Sequence, residues 1–403
     1  MYPHLAKSRR FIIVLGLLTG LVAFAINISL PAIPQLVEDL GTSMATGQQV
    51  VGLFMAGMAA GQLPFGLVSD RIGRLPVLYA GVGLFTIAGI ATWLAGSIEV
   101  MLIARFVQGF GSAAGLVLAR AIVRDIASGA QAAQLMSVMV MVFTLAPMLA
   151  PLIGAFLVSG LGWRSAFAAT TIAGILVIYG INTSLTETYS PGPRQHILRQ
   201  LWDSARLFFS KGQCVYALLI IMATIGGIMS LVSGSSALII EIYAYPVEQF
   251  GFLFALTGLS VLVGSVFNRW LLERLDAIQM IGIGGTILGV AGMQLLAMAW
   301  LGEAPFWWLW GNACLFMFGT ALVLPNSTAL ALDPVPEIAG TAASIIGTLQ
   351  NIVGAGAAII NSAIYSGTIH NLTVFVGVSG TAACCLFLLE PLVLKRRRAR
   401  LAD

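Results

Sequence analysis

From near its beginning to near its end the chain is divided into apolar runs of about twenty residues. That is the length a helix rising 1.5 Å per residue needs to cross a bilayer core about 30 Å thick. Marking them gives twelve, roughly at 11–34, 47–68, 75–95, 99–122, 132–158, 164–184, 214–240, 248–270, 277–300, 306–327, 338–364 and 371–393. Within lipid every backbone donor and acceptor must be satisfied inside the chain, so runs of this length are expected to be helices. Composition points the same way: 59% of the 403 residues are apolar and 9% are charged, whereas soluble globular proteins carry about 25% charged residues. An all-α membrane protein of twelve transmembrane helices in two six-helix bundles is the expected fold. Secreted disulfide scaffolds, nucleic-acid binders and cytosolic enzymes are excluded by the same arithmetic. The first run is too long and too polar-flanked for a cleaved signal peptide, and reads as the first span.

The runs fall into two groups of six. Residues 1–184 would form an N-terminal bundle, 185–213 a cytoplasmic linker and 214–403 a C-terminal bundle with a basic tail. The linker holds Pro191, Pro193, His196 and the basic residues Arg194, Arg199, Arg206 and Lys211. Lysine and arginine stay on the cytoplasmic side, which orients the whole. With both termini inside, eighteen of the twenty basic residues lie on that side, among them Lys7, Arg9, Arg10, Arg71, Arg74, Arg120, Arg124, Arg269 and Arg274. Arg164 is left outside and Arg105 within a span. The tail run Lys395–Arg400 either anchors the topology or binds anionic lipid. Trp93, Trp163, Trp300, Trp307, Trp308 and Trp310 are expected at the outer interface. The four cysteines, Cys214, Cys314, Cys384 and Cys385, sit in apolar runs without metal-ligand spacing and read as buried free thiols. A weak internal repeat connects the groups: Phe110-Gly111-Ser112-Ala113 recurs as Phe318-Gly319-Thr320-Ala321, an offset of 208. With an even number of spans per half, the copies would be parallel, and two such halves can rock about a shared site.

Three short segments carry chemistry. After span 2 the chain reads Gly66-Leu67-Val68-Ser69-Asp70-Arg71-Ile72-Gly73-Arg74, in which glycines permit a tight turn and opposite charges can form ionic links. Span 4 carries Arg105, Gln108, Gly109 and Gly111. A cation about two turns into a span costs several kcal/mol unless it finds partners or water, and Gln108 shares its face. Span 5 contains Ala146-Pro147 and Ala150-Pro151, then Gly154. Its two prolines remove helix donors and favour a kink, while the small residues admit a neighbouring helix.

These segments resemble signatures of the major facilitator superfamily. The turn is similar to the pattern G-x-L-a-D-R-x-G-R-K, matching at Gly66, Asp70, Arg71, Gly73 and Arg74 and departing at Val68 and Leu75. The span 4 stretch is similar to R-x-x-Q-G-x-G, and the span 5 stretch to A-P-x-L-A-P-x-x-G. Together with Leu30-Pro31-Ala32-Ile33-Pro34, Gly162-Trp163-Arg164, Leu324-Pro325-Asn326 and Ala339-Gly340-Thr341-Ala342, they resemble the bicyclomycin/chloramphenicol-resistance (Bcr/CflA) group of drug:proton antiporters.

The resemblance implies export of small amphipathic or aromatic drugs across a bacterial inner membrane in exchange for protons. Gly66, Asp70, Arg71, Gly73 and Arg74 would latch a cytoplasmic gate, and Arg105 would serve coupling. Pro147, Pro151 and Gly154 would shape the kinked helix. Polar or aromatic residues in the pathway-lining spans would meet the solute: Asn27, Phe54, Gln108, Asn326, Gln350 and Asn351. Asn and Gln within lipid also serve as interhelical glue. Many group members carry a carboxylate in the first helix where this chain has Asn27, an amide that exchanges no proton near neutral pH. No acidic residue falls mid-span, and Glu241, at the outer end of span 7, is the nearest cavity carboxylate. It is the candidate protonation site, or an acid merely exposed in the outer loop.

The expected partners are a small-molecule substrate, protons and the lipid bilayer, with no nucleic acid, and the chain is expected to be monomeric. No cofactor is expected: there is no P-loop for ATP and no Ser-His-Asp, paired-acid or metal constellation in the spans, so the chain is not read as an enzyme. A dedicated metabolite or siderophore exporter, or a carrier without proton coupling, is the competing reading.

Overall fold

The computed structural model describes residues 8–188 and 197–390, and among them every regular element is a helix. In chain order these are α1 (Arg9–Asn27), α2 (Ile33–Asp39), α3 (Met44–Ile72), α4 (Arg74–Trp93), α5 (Ile98–Ile126), α6 (Gly129–Leu161) and α7 (Arg164–Ser184). There follow α8 (Ile197–Ser210), α9 (Gly212–Ser236), α10 (Val247–Leu271), α11 (Ala277–Leu301), α12 (Phe306–Leu332), α13 (Ala339–Ala363) and α14 (His370–Leu388). A 3-10 turn, Leu30–Ala32, joins α1 to α2, and α9 continues into a π-helical segment, Ala237–Ile242. Among the described residues twelve helical spans are long and apolar enough to cross a membrane, and each coincides with one of the twelve apolar runs. Lys7, Arg194, His4, His196, Pro191, Pro193 and the Lys395–Arg400 run lie outside the described residues, as does the side chain of Arg199.

Local chemistry sets the helix ends. Ser43 accepts the Thr46 N–H at 3.2 Å, opening α3, and Asp276 forms a reciprocal capping box with Gln279 to open α11. Gly73, Gly162 and Gly302 end α3, α6 and α11 at φ of 106°, 78° and 80°, values that an L side chain rarely adopts.

The chain divides into two compact units, Met1–Arg194 with Ser235–Ala255, and Gln195–Gly234 with Leu256–Asp403. Each is built on glycine-mediated helix approach, as expected where lipid supplies little drive for helix association and backbones gain by packing closely. In the first unit a Cβ at Gly61 of α3 would stand 2.6 Å from the Phe110 carbonyl oxygen and 2.9 Å from Ala113 Cβ of α5. In the second, a Cβ at Gly264 of α10 would stand 2.8 Å from the Phe318 carbonyl oxygen and 2.9 Å from Ala321 Cβ of α12. The two halves of the short sequence repeat thus occupy the same packing role. Gly111 and Gly319 repeat it once more, crowding the carbonyls of Gly81 and Gly284 respectively.

Two expectations from sequence need correction. Trp93, Trp300, Trp307 and Trp308 are exposed, but Trp163 and Trp310 are buried and belong to the packing rather than to an interfacial belt. Trp163 turns inward because its indole N–H donates to Asp39 at 3.0 Å and its ring meets Phe167 edge-on, while Trp310 stacks on Phe306. All four cysteines are free, yet only Cys214 is buried; Cys385 is exposed on α14.

Candidate functional site

The charged turn between α3 and α4 is organised around Arg74. Its Nε donates to Asp125 Oδ2 at 2.9 Å, and Nη1 donates to Ser69 Oγ at 2.9 Å and pairs with Asp70 four residues back, across the turn at Gly73. A carboxylate that the sequence motifs do not include takes the open end of α4. Glu187 accepts the N–H of Arg74 on one oxygen and that of Leu75 on the other, each at 2.9 Å. A helix N-terminus carries unsatisfied N–H groups and partial positive charge, so an anion seated there is stabilised twice. Gly73 makes room for it: beyond its φ of 106°, a Cβ would lie 2.8 Å from Glu187 Oε2. Thr188 ties the same stretch of chain to Asp125 at 3.2 Å. Of the other turn residues, Arg71 is exposed, and Gly66 meets only Val117, at an ordinary 3.6 Å from its Cβ position.

A second centre lies deeper, where α1 breaks. The hydrogen-bond ladder of α1 closes with the Ile28 N–H on the Phe24 carbonyl at 2.9 Å, and Pro31 brings no N–H to continue it. The next carbonyl, Ala25, accepts from Nη1 and Nη2 of Arg105 instead, each at 3.3 Å. Arg105 is fully buried. Its Nε donates to the Val50 carbonyl at 3.2 Å, Nη1 to Gln108 Oε1 at 2.9 Å and Nη2 to Ser29 Oγ at 3.4 Å. Its guanidinium lies 4.4 Å from the ring centre of Phe54 and 5.7 Å from that of Phe167. Gln108 extends the chain by donating to Thr170 Oγ1 at 3.0 Å. Among the described residues no carboxylate reaches Arg105; the C-terminal carbonyl end of a broken helix, an amide, a hydroxyl and two aromatic faces hold the cation. Gly109 permits this closeness, since its Cα faces the Phe54 backbone and a Cβ there would fall 2.7 Å from the Phe54 carbonyl carbon.

Of the sequence-derived candidates, Arg105, Gln108 and Phe54 therefore meet directly. Asn27 sits at the same break, buried, donating to the Ala23 carbonyl at 2.7 Å, with its Oδ1 unbonded to protein. Gly154 of α6 faces the break too, a Cβ there lying 3.1 Å from Pro31 Cγ and against the Ile28 carbonyl. Helix α6 runs unbroken through Pro147 and Pro151. Glu241 lies exposed in the π-helical segment and is not among the groups that bond Arg105. In the second unit Asn326 is buried and donates to Asn268 Oδ1 and to the Leu322 carbonyl, both at 2.7 Å, while Gln350 and Asn351 are half-buried on α13.

The chain matches the Major Facilitator Superfamily over residues 15–358. It belongs to that superfamily. It is a multi-pass membrane transporter of the superfamily and not an enzyme. The bicyclomycin resistance protein homolog of Haemophilus influenzae is 31% identical over 346 residues, covering 86% of this chain and 87% of the relative. Multidrug resistance protein D of Escherichia coli is 29% identical over 347 residues, 86% of each chain. Among solved structures, the D-xylose-proton symporter superposes with a TM-score of 0.75 at 16% identity, covering 95% of this chain and 97% of the symporter, a likeness of fold alone.

Within this superfamily member the residues missed by sequence reasoning were Glu187, Asp125 and Ser29. Arg124-Asp125 at the C-terminal end of span 4 did offer a signal, an acid able to answer the basic turn. Glu187 offered none, because a polar residue after a span looks like loop until the chain is seen to fold back onto α4.

Proposed function

We propose that this transporter exports small amphipathic or aromatic drugs across a bacterial inner membrane by proton antiport with alternating access, as a monomer with both termini cytoplasmic. Residues 1–184 and 214–403 act as its two six-helix halves and 185–213 as the linker. The observation that carries this reading is the match along 86% of the chain to relatives named for bicyclomycin and multidrug resistance. The packing of Gly154 against the break in span 1 supports it, because it joins the A-P-x-L-A-P-x-x-G segment to Asn27 and the Arg105 centre. In this reading Asn27, Phe54, Gln108, Asn326, Gln350 and Asn351 contact solute, and the Asp70–Arg74–Asp125 cluster latches the gate.

Arg105 can take part in coupling without a carboxylate beside it, because its charge is shared among neutral groups that a moving α1 would break. Glu241 supplies the titrating proton in this reading. A second reading, a dedicated exporter without proton coupling, is favoured by Asn27 standing where relatives of the resembling group carry an acid. A panel of solutes scored for efflux from proteoliposomes, with and without a pH gradient, tests both. Gradient-dependent efflux of several unrelated aromatic cations supports drug antiport; gradient-independent efflux of one metabolite class supports the alternative.

A further inference from the structure

Helix α8 is 14 residues long, about 21 Å at 1.5 Å per residue, and too short to cross a bilayer core of about 30 Å. Its exposed apolar side chains therefore cannot be assigned to a span. Ser204 and Phe208, one turn apart, are buried on the side packed towards α13. Trp202, Arg206 and Phe209 follow at i, i+4 and i+7, so they share a different face. On that face Trp202 is 71% exposed and Phe209 49%, and Arg206 is also exposed. Lys211, exposed as well, follows at once, and the span α9 starts at Gly212. The one acid of the helix, Asp203, is exposed a further step round, away from the ring pair.

We propose that this face of α8 lies on the bilayer the chain spans, with Trp202 and Phe209 seated at headgroup level and Arg206 and Lys211 binding anionic phospholipid headgroups. Two arguments select that occupant. The helix ends one residue before a span, which tethers its C-terminal turn to an element that enters the membrane. On that face one cation, Arg206, lies between the two rings and a second, Lys211, follows the helix, while Asp203 is set about 100° round from Trp202, the pattern of a helix lying in the interface and held by both apolar burial and charge. The proposal rests on the chain being a multi-pass membrane protein and not on the identity of its solute.

Spin labels read it directly. In the full chain with its four native cysteines replaced, single cysteines are placed at Phe209 or at Asp203, and the protein is reconstituted into phosphatidylethanolamine–phosphatidylglycerol vesicles. The label at 209 should be more accessible to oxygen than to a water-soluble nickel chelate, and the label at 203 the reverse. Removing Arg206 or Lys211 by substitution with glutamine should lower the docked-to-free ratio about fivefold per charge, and phosphatidylcholine vesicles should lower it further. Equal water exposure at both positions would overturn the docking. An unchanged depth at 209 in phosphatidylcholine alone, or in R206Q/K211Q, would overturn recognition of anionic headgroups. Neither result bears on drug export, which is measured separately.

Discussion

Replacing Arg105 by lysine keeps the positive charge and removes the planar fork. The guanidinium spreads its donors over the carbonyls of Ala25 and Val50, Gln108 Oε1 and Ser29 Oγ, at 2.9–3.4 Å. A lysine ammonium offers three donors on one atom and cannot reach all the acceptors that the planar fork spans. Loss of one or two hydrogen bonds to a charged donor, each worth about 1.5–3 kcal/mol net, destabilises Arg105→Lys by about 3 kcal/mol. Arg105→Leu behaves differently. It orphans the Ala25 carbonyl and Gln108 Oε1, each costing about 1–3 kcal/mol, but it also removes a buried cation whose desolvation costs several kcal/mol. Those contributions offset, so the leucine variant should unfold close to wild type and above the lysine variant. Both should lose gradient-driven efflux by at least about tenfold, a barrier change of about 1.4 kcal/mol. Thermal unfolding in detergent, followed by reaction of the native cysteines with a thiol dye, gives the stability order, and dye efflux from proteoliposomes gives the transport rate. A lysine variant with wild-type unfolding and wild-type efflux would refute the role of the fork.

Gly109→Val should destabilise by about 1–3 kcal/mol, because the new side chain is driven into the Phe54 backbone, whereas Gly96→Ala, with no atom within 4 Å of the new methyl, should leave unfolding unchanged. Glu187→Gln replaces one of the two acceptors at the start of α4 by an amide NH₂ and should cost about 1–2 kcal/mol, seen as faster trypsin cleavage in the linker. Equal cleavage rates for that variant and wild type would show that the cap is unimportant. Glu241→Gln should abolish proton-driven efflux while leaving downhill solute movement intact; wild-type proton-driven rates would exclude Glu241 as the protonation site.

The spans were legible because lipid imposes one requirement on every residue of a run, and the run marked roughly at 164–184 coincides with α7, Arg164–Ser184. The run 11–34 reads as one span although Pro31 and Pro34 carry the signal of its break, whereas the Arg105–Gln108 pairing could be anticipated from their three-residue spacing. The inward turn of Trp163 could not, because it depends on Asp39, 124 residues earlier in the chain, answering its indole N–H. Nor could the seat of Glu187, which is set by the positive φ at Gly73 and by the chain after α7 returning to α4. Local pattern reports which residues face lipid or protein; long-range partners of polar groups depend on the fold being complete.

Proton and solute movement recorded in the same proteoliposomes is the most direct measurement. If the chain is a drug:proton antiporter, adding an amphipathic aromatic cation on one side drives protons across in the opposite direction, and a protonophore that collapses the pH gradient halts uphill export. Solute movement that proceeds at the same rate with the gradient abolished, and without any proton movement, would contradict it.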